Sequence, residues 1–322
     1  MPRMSSLARK LARRLIRDIQ KLNKNRVEII LYHSVTRHEN PFITSRQNIG
    51  PIVFEQQMRY LQEHYSIIPL EASITHSCAG HSYNKPLACI CFDDGYASNV
   101  NEAYPILRKM GIPATIFVCG SVVGNTDLLW RDKVCYLGKE GLEKDFIGFV
   151  RYGESSCRYQ YSSLANMSFY QWSKSIYGIK DMTIQEDLSR FFLNKGIDSA
   201  QLAAKYDLYM SPDQIHSDYD GLTFDNHTWT HPLMTLLDRE SQLQEIWRNH
   251  VWLQGFGIES SLFAVPFAPF DENTVAACKK LNYDGLFTVS MKSNRTGQAN
   301  LSFSTLYRRL ASNSMREFNS VL

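Results

Sequence analysis

No stretch of the 322 residues approaches the ~20 consecutive apolar residues that a membrane-spanning helix needs. The first 26 residues hold no apolar run longer than two, so the hydrophobic segment of a secretory signal is missing as well. The expected location is therefore the cytoplasm. Cysteine is sparse: seven residues, an odd number, with no Cys-x-x-Cys pair. That excludes a zinc ribbon and argues against a disulfide frame. Several cysteines sit inside apolar runs, as in Leu87-Ala88-Cys89-Ile90-Cys91-Phe92, and read as small buried hydrophobes in a reducing compartment. No internal repeat or low-complexity tract occurs. With 44% hydrophobic and 21% charged residues, the chain is neither disordered nor fibrous. At this length it buries about 75% of its unfolded surface and needs no covalent staple.

The net charge of +3 conceals an asymmetry. Residues 1–26 carry nine Lys/Arg against one Asp, whereas the remainder has 26 basic and 31 acidic residues. An acidic body is a poor nucleic-acid binder, and no nucleic-acid partner is expected. The leader places Met4, Leu7, Leu11, Leu15, Ile19 and Leu22 at helical spacing, with Arg and Lys on the other faces. Residues 4–24 suit a helix lying on an anionic membrane surface, which would put the protein on the inner face of the membrane. A solvated helix that packs its Leu stripe on the body suits the pattern equally.

From residue 27 onwards strand and helix signals alternate. Val27–Tyr32, Leu87–Phe92, Ala114–Cys119, Leu222–Asn226, Ser261–Val265, Asp284–Val289 and Thr305–Leu310 read as strands. Phe54–Tyr65, Asn101–Met110, Arg239–Leu253 and Glu272–Leu281 read as helices. Such alternation predicts an α/β fold with a parallel sheet and right-handed crossovers. Periodicity does not decide between a barrel and an open sheet. The stretch from about 125 to 215 is too long for a bare loop and is expected to be a mainly helical insertion.

Two motifs carry chemistry. In Phe92-Asp93-Asp94-Gly95-Tyr96, paired carboxylates follow a buried strand, at the edge where parallel α/β proteins place their sites. Gly95 allows a sharp turn, so both carboxylates can face one cavity. A helix N-cap would need only one of them, and two adjacent carboxylates repel unless a cation is present. In His227-Thr228-Trp229-Thr230-His231, spacing by four puts both imidazoles on one side if the segment is a helical turn. One carboxylate and two imidazoles form a set with open positions for water and substrate, as a catalytic metal requires.

These segments resemble the polysaccharide deacetylases, the NodB-like superfamily of carbohydrate esterase family 4. Phe92–Tyr96 is similar to the family's first motif, and His227–His231 with Pro232 and Leu233 to its second. Phe263-Ala264-Val265-Pro266-Phe267 resembles the third, and Ile30–Val35 the opening strand of one branch of the superfamily. The order fits from about residue 27 to 310. The resemblance implies a distorted (β/α) barrel of about seven strands, giving a leader over 1–26 and a catalytic domain over 27–322. It implies a divalent metal ion, expected to be Zn2+, held by Asp94, His227 and His231. It makes Asp93 the general base and gives the backbone N–H of Phe267 to the oxyanion. Two departures stand out. The family's third-motif Arg, which pairs with the catalytic Asp, corresponds to Ala264, and no His follows His250 to supply the usual late general acid. His33, ending the first strand, is the best substitute, or else a buried histidine bonded to backbone. Trp130, Arg131 and Asp132 open the insertion and are placed along the substrate groove, Trp130 alternatively serving as an anchor. Tyr96 and Pro266 complete the expected substrate surface.

The expected activity is removal of an N-acyl group from an amino sugar, lipid- or nucleotide-linked, in surface-polysaccharide or glycolipid assembly. Two alternatives stay open: hydrolysis of a non-sugar C–N bond, and a catalytically silent carbohydrate- or membrane-binding relative.

Overall fold

A computed structural model describes residues 26–79, 85–152, 183–290, 292, 294–295 and 303–321. The basic leader and the middle of the insertion lie outside the described residues.

Seven parallel strands close into a barrel: β1 (Arg26–Tyr32), β2 (Leu87–Phe92), β3 (Ala114–Val118), β4 (Leu222–Asn226), β5 (Leu262–Ala264), β6 (Gly285–Val289) and β7 (Ser304–Leu310). They pair in chain order, and β7 closes the ring on β1 through Ile30↔Arg309 and Leu31↔Leu310. Each strand is within a residue or two of its expectation, and closure decides for the barrel over the open sheet. Two short segments extend the lower end. Ser66–Ile67 lies parallel to the start of β2, and Asn294–Arg295 runs antiparallel to the start of β1.

The uninterrupted apolar character of β2 follows from burial on both faces. Leu87, Cys89 and Cys91 point into the barrel with Val27, Ile29, Leu31, Phe117, Ala264 and Phe287. The alternate residues Ala88, Ile90 and Phe92 pack outwards on the helices, against Phe54, Met58, Leu61 and Leu107. Narrow side chains are needed near the barrel axis, so Cys89 and Cys91 serve as small hydrophobes, both free and buried.

The main outer helices are α1 (Pro51–His64), α2 (Leu70–Ala79), α3 (Tyr104–Met110), α9 (Arg239–Gln254) and α10 (Glu272–Lys280). Between β3 and β4 the described parts of the insertion are helical: α4 (Trp130–Lys139), α5 (Glu143–Tyr152), α6 (Thr183–Asn194), α7 (Ser199–Lys205) and α8 (Pro212–His216). They form a second core around Phe146, Leu188, Phe191 and Phe192. One helix differs from its reading: Asn99–Ala103 is a wide π-type turn, and regular helix begins only at Tyr104. No helix among the described residues is long and apolar enough to cross a membrane.

Register is what builds the site. β1 and β2 pair from Val27↔Leu87 to Tyr32↔Phe92, so both end at one level. The Asp93 N–H then donates to the Tyr32 carbonyl at 3.0 Å, which sets His33 and Asp93 side by side at the barrel mouth. Likewise Val118 pairs with Asn226, and the His227 N–H donates to the Val118 carbonyl at 3.1 Å.

Candidate active site

Asp94 has φ = 74° and Gly95 also has φ = 74°. Two successive left-handed residues reverse the alternation of the strand, so both Asp93 and Asp94 turn towards the cavity. A side chain at Gly95 would be strained at that φ and would meet Val118 Cγ1 at 3.2 Å. The His227–His231 segment is not the helical turn its spacing implied. It is an irregular loop in which Thr228 (φ = 69°) and His231 (φ = 60°) are both left-handed, and Phe267 adds a third at φ = 65°. Such conformations are costly for non-glycine residues and persist where the surroundings impose them, as at functional sites.

The loop is held by its neighbours. Glu245 on α9 accepts from the N–H groups of Trp229 and Thr230 and from the Thr230 hydroxyl. Thr228 Oγ1 accepts from the His231 N–H at 3.0 Å. Trp130 Nε1 donates to the His231 carbonyl at 3.0 Å.

The loops bring three donors together. His231 Nε2 lies 3.2 Å and His227 Nε2 3.6 Å from Asp94 Oδ1. Asp94, His227 and His231 are all buried, and one ligand atom from each falls within 4.8 Å of the others. His227 Nδ1 sits 2.8 Å from the Ala264 carbonyl, so that nitrogen carries the proton and the Nε2 lone pair faces the centre. Asp94 Oδ1 is buried without a hydrogen-bond partner. A buried carboxylate oxygen with no donor, facing two imidazoles, is the arrangement that a divalent cation satisfies. The residues therefore fit the metal that the resemblance implied.

Two guanidiniums support the carboxylates. Arg131 Nη2 donates to Asp94 Oδ2 at 2.7 Å, and Arg308 Nη1 to Asp93 Oδ1 at 2.5 Å. Burial works against the charge of Asp94. Arg131, followed by His231, nonetheless holds its carboxyl well below the usual carboxylate range. Behind Arg131 lies a buried cluster. Asp132 accepts from Tyr209 Oη and, at 3.1 Å, from Tyr96 Oη, and burial lifts its pKa to about 6. The Tyr96 and Tyr209 rings stack with centroids 5.6 Å apart. Both ends of the insertion, at 130–132 and at 209, are thus tied through Arg131 to Asp94.

His33 is 12% exposed, with Nε2 3.9 Å from Asp94 Oδ2. Burial pulls its pKa down to about 4, against the opposing pull of Asp94 and Asp93. His33, Asp93, Arg131, His227, His231 and Phe267 line one cavity of about 260 Å³.

The expected substrate surface needs correction. Tyr96 is 1% exposed and its ring faces Tyr209, because its hydroxyl is drawn to Asp132. Trp130 is 4% exposed and serves as the anchor: its indole N–H is taken by the His231 carbonyl and its ring packs on Phe267 at 5.5 Å. Pro266, two residues after the end of β5, is buried and does not line the cavity, whereas Phe267 does. Asp132 likewise lies behind the pocket rather than along it, leaving Arg131 as the groove residue of that trio.

Sequence reasoning missed the role of Arg308. Its signal was present: Leu306 packs in the barrel interior, so Arg308, two residues on, points inward at the carboxyl end of β7. Glu245 carried no such signal, since its role depends on how α9 lies against the loop.

Comparison with known proteins agrees with this geometry. The polysaccharide deacetylase family profile matches residues 80–143 and 190–286, together half of the chain. The Bacillus subtilis protein YxkH, a polysaccharide deacetylase by name, is 28% identical over 119 residues, which are 36% of this chain and 40% of that protein. The chain therefore matches less than half the length of that relative. The deacetylase PplD of Streptococcus pyogenes superposes with a TM-score of 0.54 at 16% identity, covering 90% of this chain and 94% of that one. IcaB from Ammonifex degensii superposes with a TM-score of 0.55 at 19% identity, covering 92% and 95%. These two show the shared fold. The profile match and the Asp-Asp and His-x-x-x-His elements at the mouth of a seven-stranded barrel lead to one assignment: the chain belongs to the polysaccharide deacetylase family, the NodB-like group whose members hydrolyse carbon–nitrogen bonds.

Proposed function

We propose that the protein removes the N-acyl group of an acylated amino sugar, in a metal-dependent hydrolysis that serves surface-polysaccharide or glycolipid assembly. The observation that carries this reading is the buried Asp94, His227 and His231 cluster beside the Arg308-held Asp93. Asp94 Oδ1 and the two imidazole Nε2 atoms would hold a divalent ion, Zn2+ for this donor set. Such an ion supplies Lewis-acid polarisation of the amide carbonyl and lowers the pKa of water towards ~7.

The chain's own groups do the rest. Asp93, its Oδ1 fixed by Arg308, takes the proton from the attacking water with its other oxygen. Charge then develops on the carbonyl oxygen, where the Phe267 N–H donates. As the C–N bond breaks, the amine needs a proton. Asp93 returns it, with His33 beside it at the barrel mouth as the relay. His33 is uncharged at rest, so it carries the proton only in passing. Ala264 gives up the third-motif Arg, and Arg308 occupies that role from another strand.

The basic leader, residues 4–24, is proposed to hold the protein to the anionic inner face of the membrane, where lipid-linked sugars are exposed. That would place it in the cytoplasm.

The test is a pair of measurements on one preparation: metal content by atomic emission, and acetate release from N-acetylated sugars set against small amides and imides. Stoichiometric metal with release from sugars supports the reading. Turnover confined to the amides moves the activity to non-sugar C–N bonds, and no metal with no turnover makes the chain a silent relative. His227→Ala with His231→Ala should abolish both signals; full metal and full turnover in that double variant would overturn the ligand assignment.

A further inference from the structure

Arg46 stands at the rim of the catalytic cavity, exposed to solvent. Among the described residues it has neither an ion pair nor a hydrogen bond, unlike the other cations around this mouth. Arg131 is held by Asp94 at 2.7 Å and Arg308 by Asp93 at 2.5 Å. In the adjoining groove Arg37 reaches Glu102 at 4.0 Å and Lys139 reaches Glu39 at 3.7 Å. Asp93 is the one acid among the twelve residues lining the cavity, and its guanidinium is already supplied. At and behind the floor Asp93, Asp94 and Asp132 engage Arg308 and Arg131, and among the described residues Arg46 is left without a carboxylate partner.

The segment that carries Arg46 is fixed. Phe42 is fully buried and stacks on Tyr136 of α4, with centroids 5.6 Å apart and planes 13° apart. Asn40 Oδ1 accepts from the N–H groups of Phe42 and Ile43, each at 3.0 Å. The Gln47 N–H closes a turn on the Thr44 carbonyl at 2.9 Å, and the Gln47 carbonyl accepts from the Ser34 N–H at 3.0 Å. The backbone that bears Arg46 is thereby preorganised beside the metal ligands, so little ordering is needed to use it.

Resting on the deacetylase reading, we infer that the substrate is an anionic amino sugar, and that Arg46 determines this specificity by pairing with a phosphate or carboxylate group. A cavity of about 260 Å³ is small beside the roughly 300–1,000 Å³ of ordinary ligand sites. It takes the acylamino end of a sugar and leaves the rest of the unit outside, at the level of Arg46. A guanidinium there forms a bidentate, charge-assisted pair with either oxyanion.

The experiment uses the full chain loaded with divalent metal. Calorimetric titration compares N-acetylglucosamine 1-phosphate, N-acetylmuramic acid and neutral N-acetylglucosamine, for the parent and for Arg46→Gln, Arg46→Lys and Arg46→Glu. The parent should bind at least one anionic sugar about tenfold more tightly than the neutral one. Arg46→Gln should erase that preference, Arg46→Lys should keep part of it, and Arg46→Glu should reverse it. Which of the two anions profits separates a phosphate from a carboxylate substrate. Unchanged metal content in each variant shows that the fold is kept. An anion preference that survives Arg46→Gln belongs to the metal centre and overturns the proposal, as does equal or absent binding of all three sugars by the parent. Acetate release is read in parallel: its absence from every probe would overturn the hydrolase reading, whereas the binding ratios decide the role of Arg46 by themselves.

Discussion

Arg308 reaches across the barrel mouth to donate to Asp93 Oδ1 at 2.5 Å, linking residues 215 positions apart in the chain. Both groups are buried. Removing one partner of such a pair leaves an uncompensated buried charge. Arg308→Gln should therefore destabilise the fold by about 3–5 kcal/mol, read by urea denaturation. Arg308→Lys keeps the charge but loses the fork, so it should recover only part of that loss. Equal stability in Arg308→Gln and the parent would show that the pair is not formed.

Asp93 is expected to act on protons and not on the metal. Asp93→Asn should retain stoichiometric metal and lose about 10²–10⁴-fold in kcat, the usual worth of general-base catalysis. Loss of metal in this variant would make Asp93 a ligand and exchange its role with that of Asp94.

His33 should be uncharged at neutral pH. Burial lowers its pKa to about 4, so the imidazolium is disfavoured in the fold. Because the folded value lies below the unfolded one of ~6.5, this group favours folding above the unfolded value, and that contribution is lost as pH falls towards 4. Heteronuclear NMR of the metal-free protein should show His33 titrating near 4. A midpoint near 6.5 would contradict the assignment. His33→Ala should keep its metal and lose most of its rate.

Asp225 offers a stability test with the opposite sign. Its carboxyl accepts from Ser260 Oγ and the N–H groups of Ser261 and Leu262. Burial still pushes its pKa up to about 7. The folded state thus holds the proton more tightly than the unfolded state, whose value is ~3.9. The contribution favours folding at low pH and is lost as pH rises towards 7. Asp225→Asn keeps an acceptor and removes the titration. Relative to the parent, its stability should rise with pH between about 4 and 7 in urea melts. A constant difference across that range would rule out the raised pKa.

The alternation of buried strands and amphipathic helices sufficed to place seven strands within a residue or two, because strand burial on both faces leaves continuous apolar runs such as Leu87–Phe92. The meeting of one carboxylate and two imidazoles was equally legible. Asp94, His227 and His231 lie in local motifs at strand ends, and local motifs survive in one dimension. Barrel closure was not legible, since it depends on β7 meeting β1 and no periodicity encodes that pairing. The spacing of His227 and His231 implied a helical turn, but left-handed residues at Thr228 and His231, pinned by Glu245, bring the rings together instead. Tyr96 was placed on the substrate surface, and Trp130 was left between the substrate groove and an anchoring role. Burial beneath the insertion gives them supporting roles, because their polar ends find Asp132 and the His231 carbonyl. The Arg308–Asp93 pair and the unpaired state of Arg46 belong to the same class. Charge pairing acts through space over a few ångströms, and only the closed barrel determines which charges come within that distance.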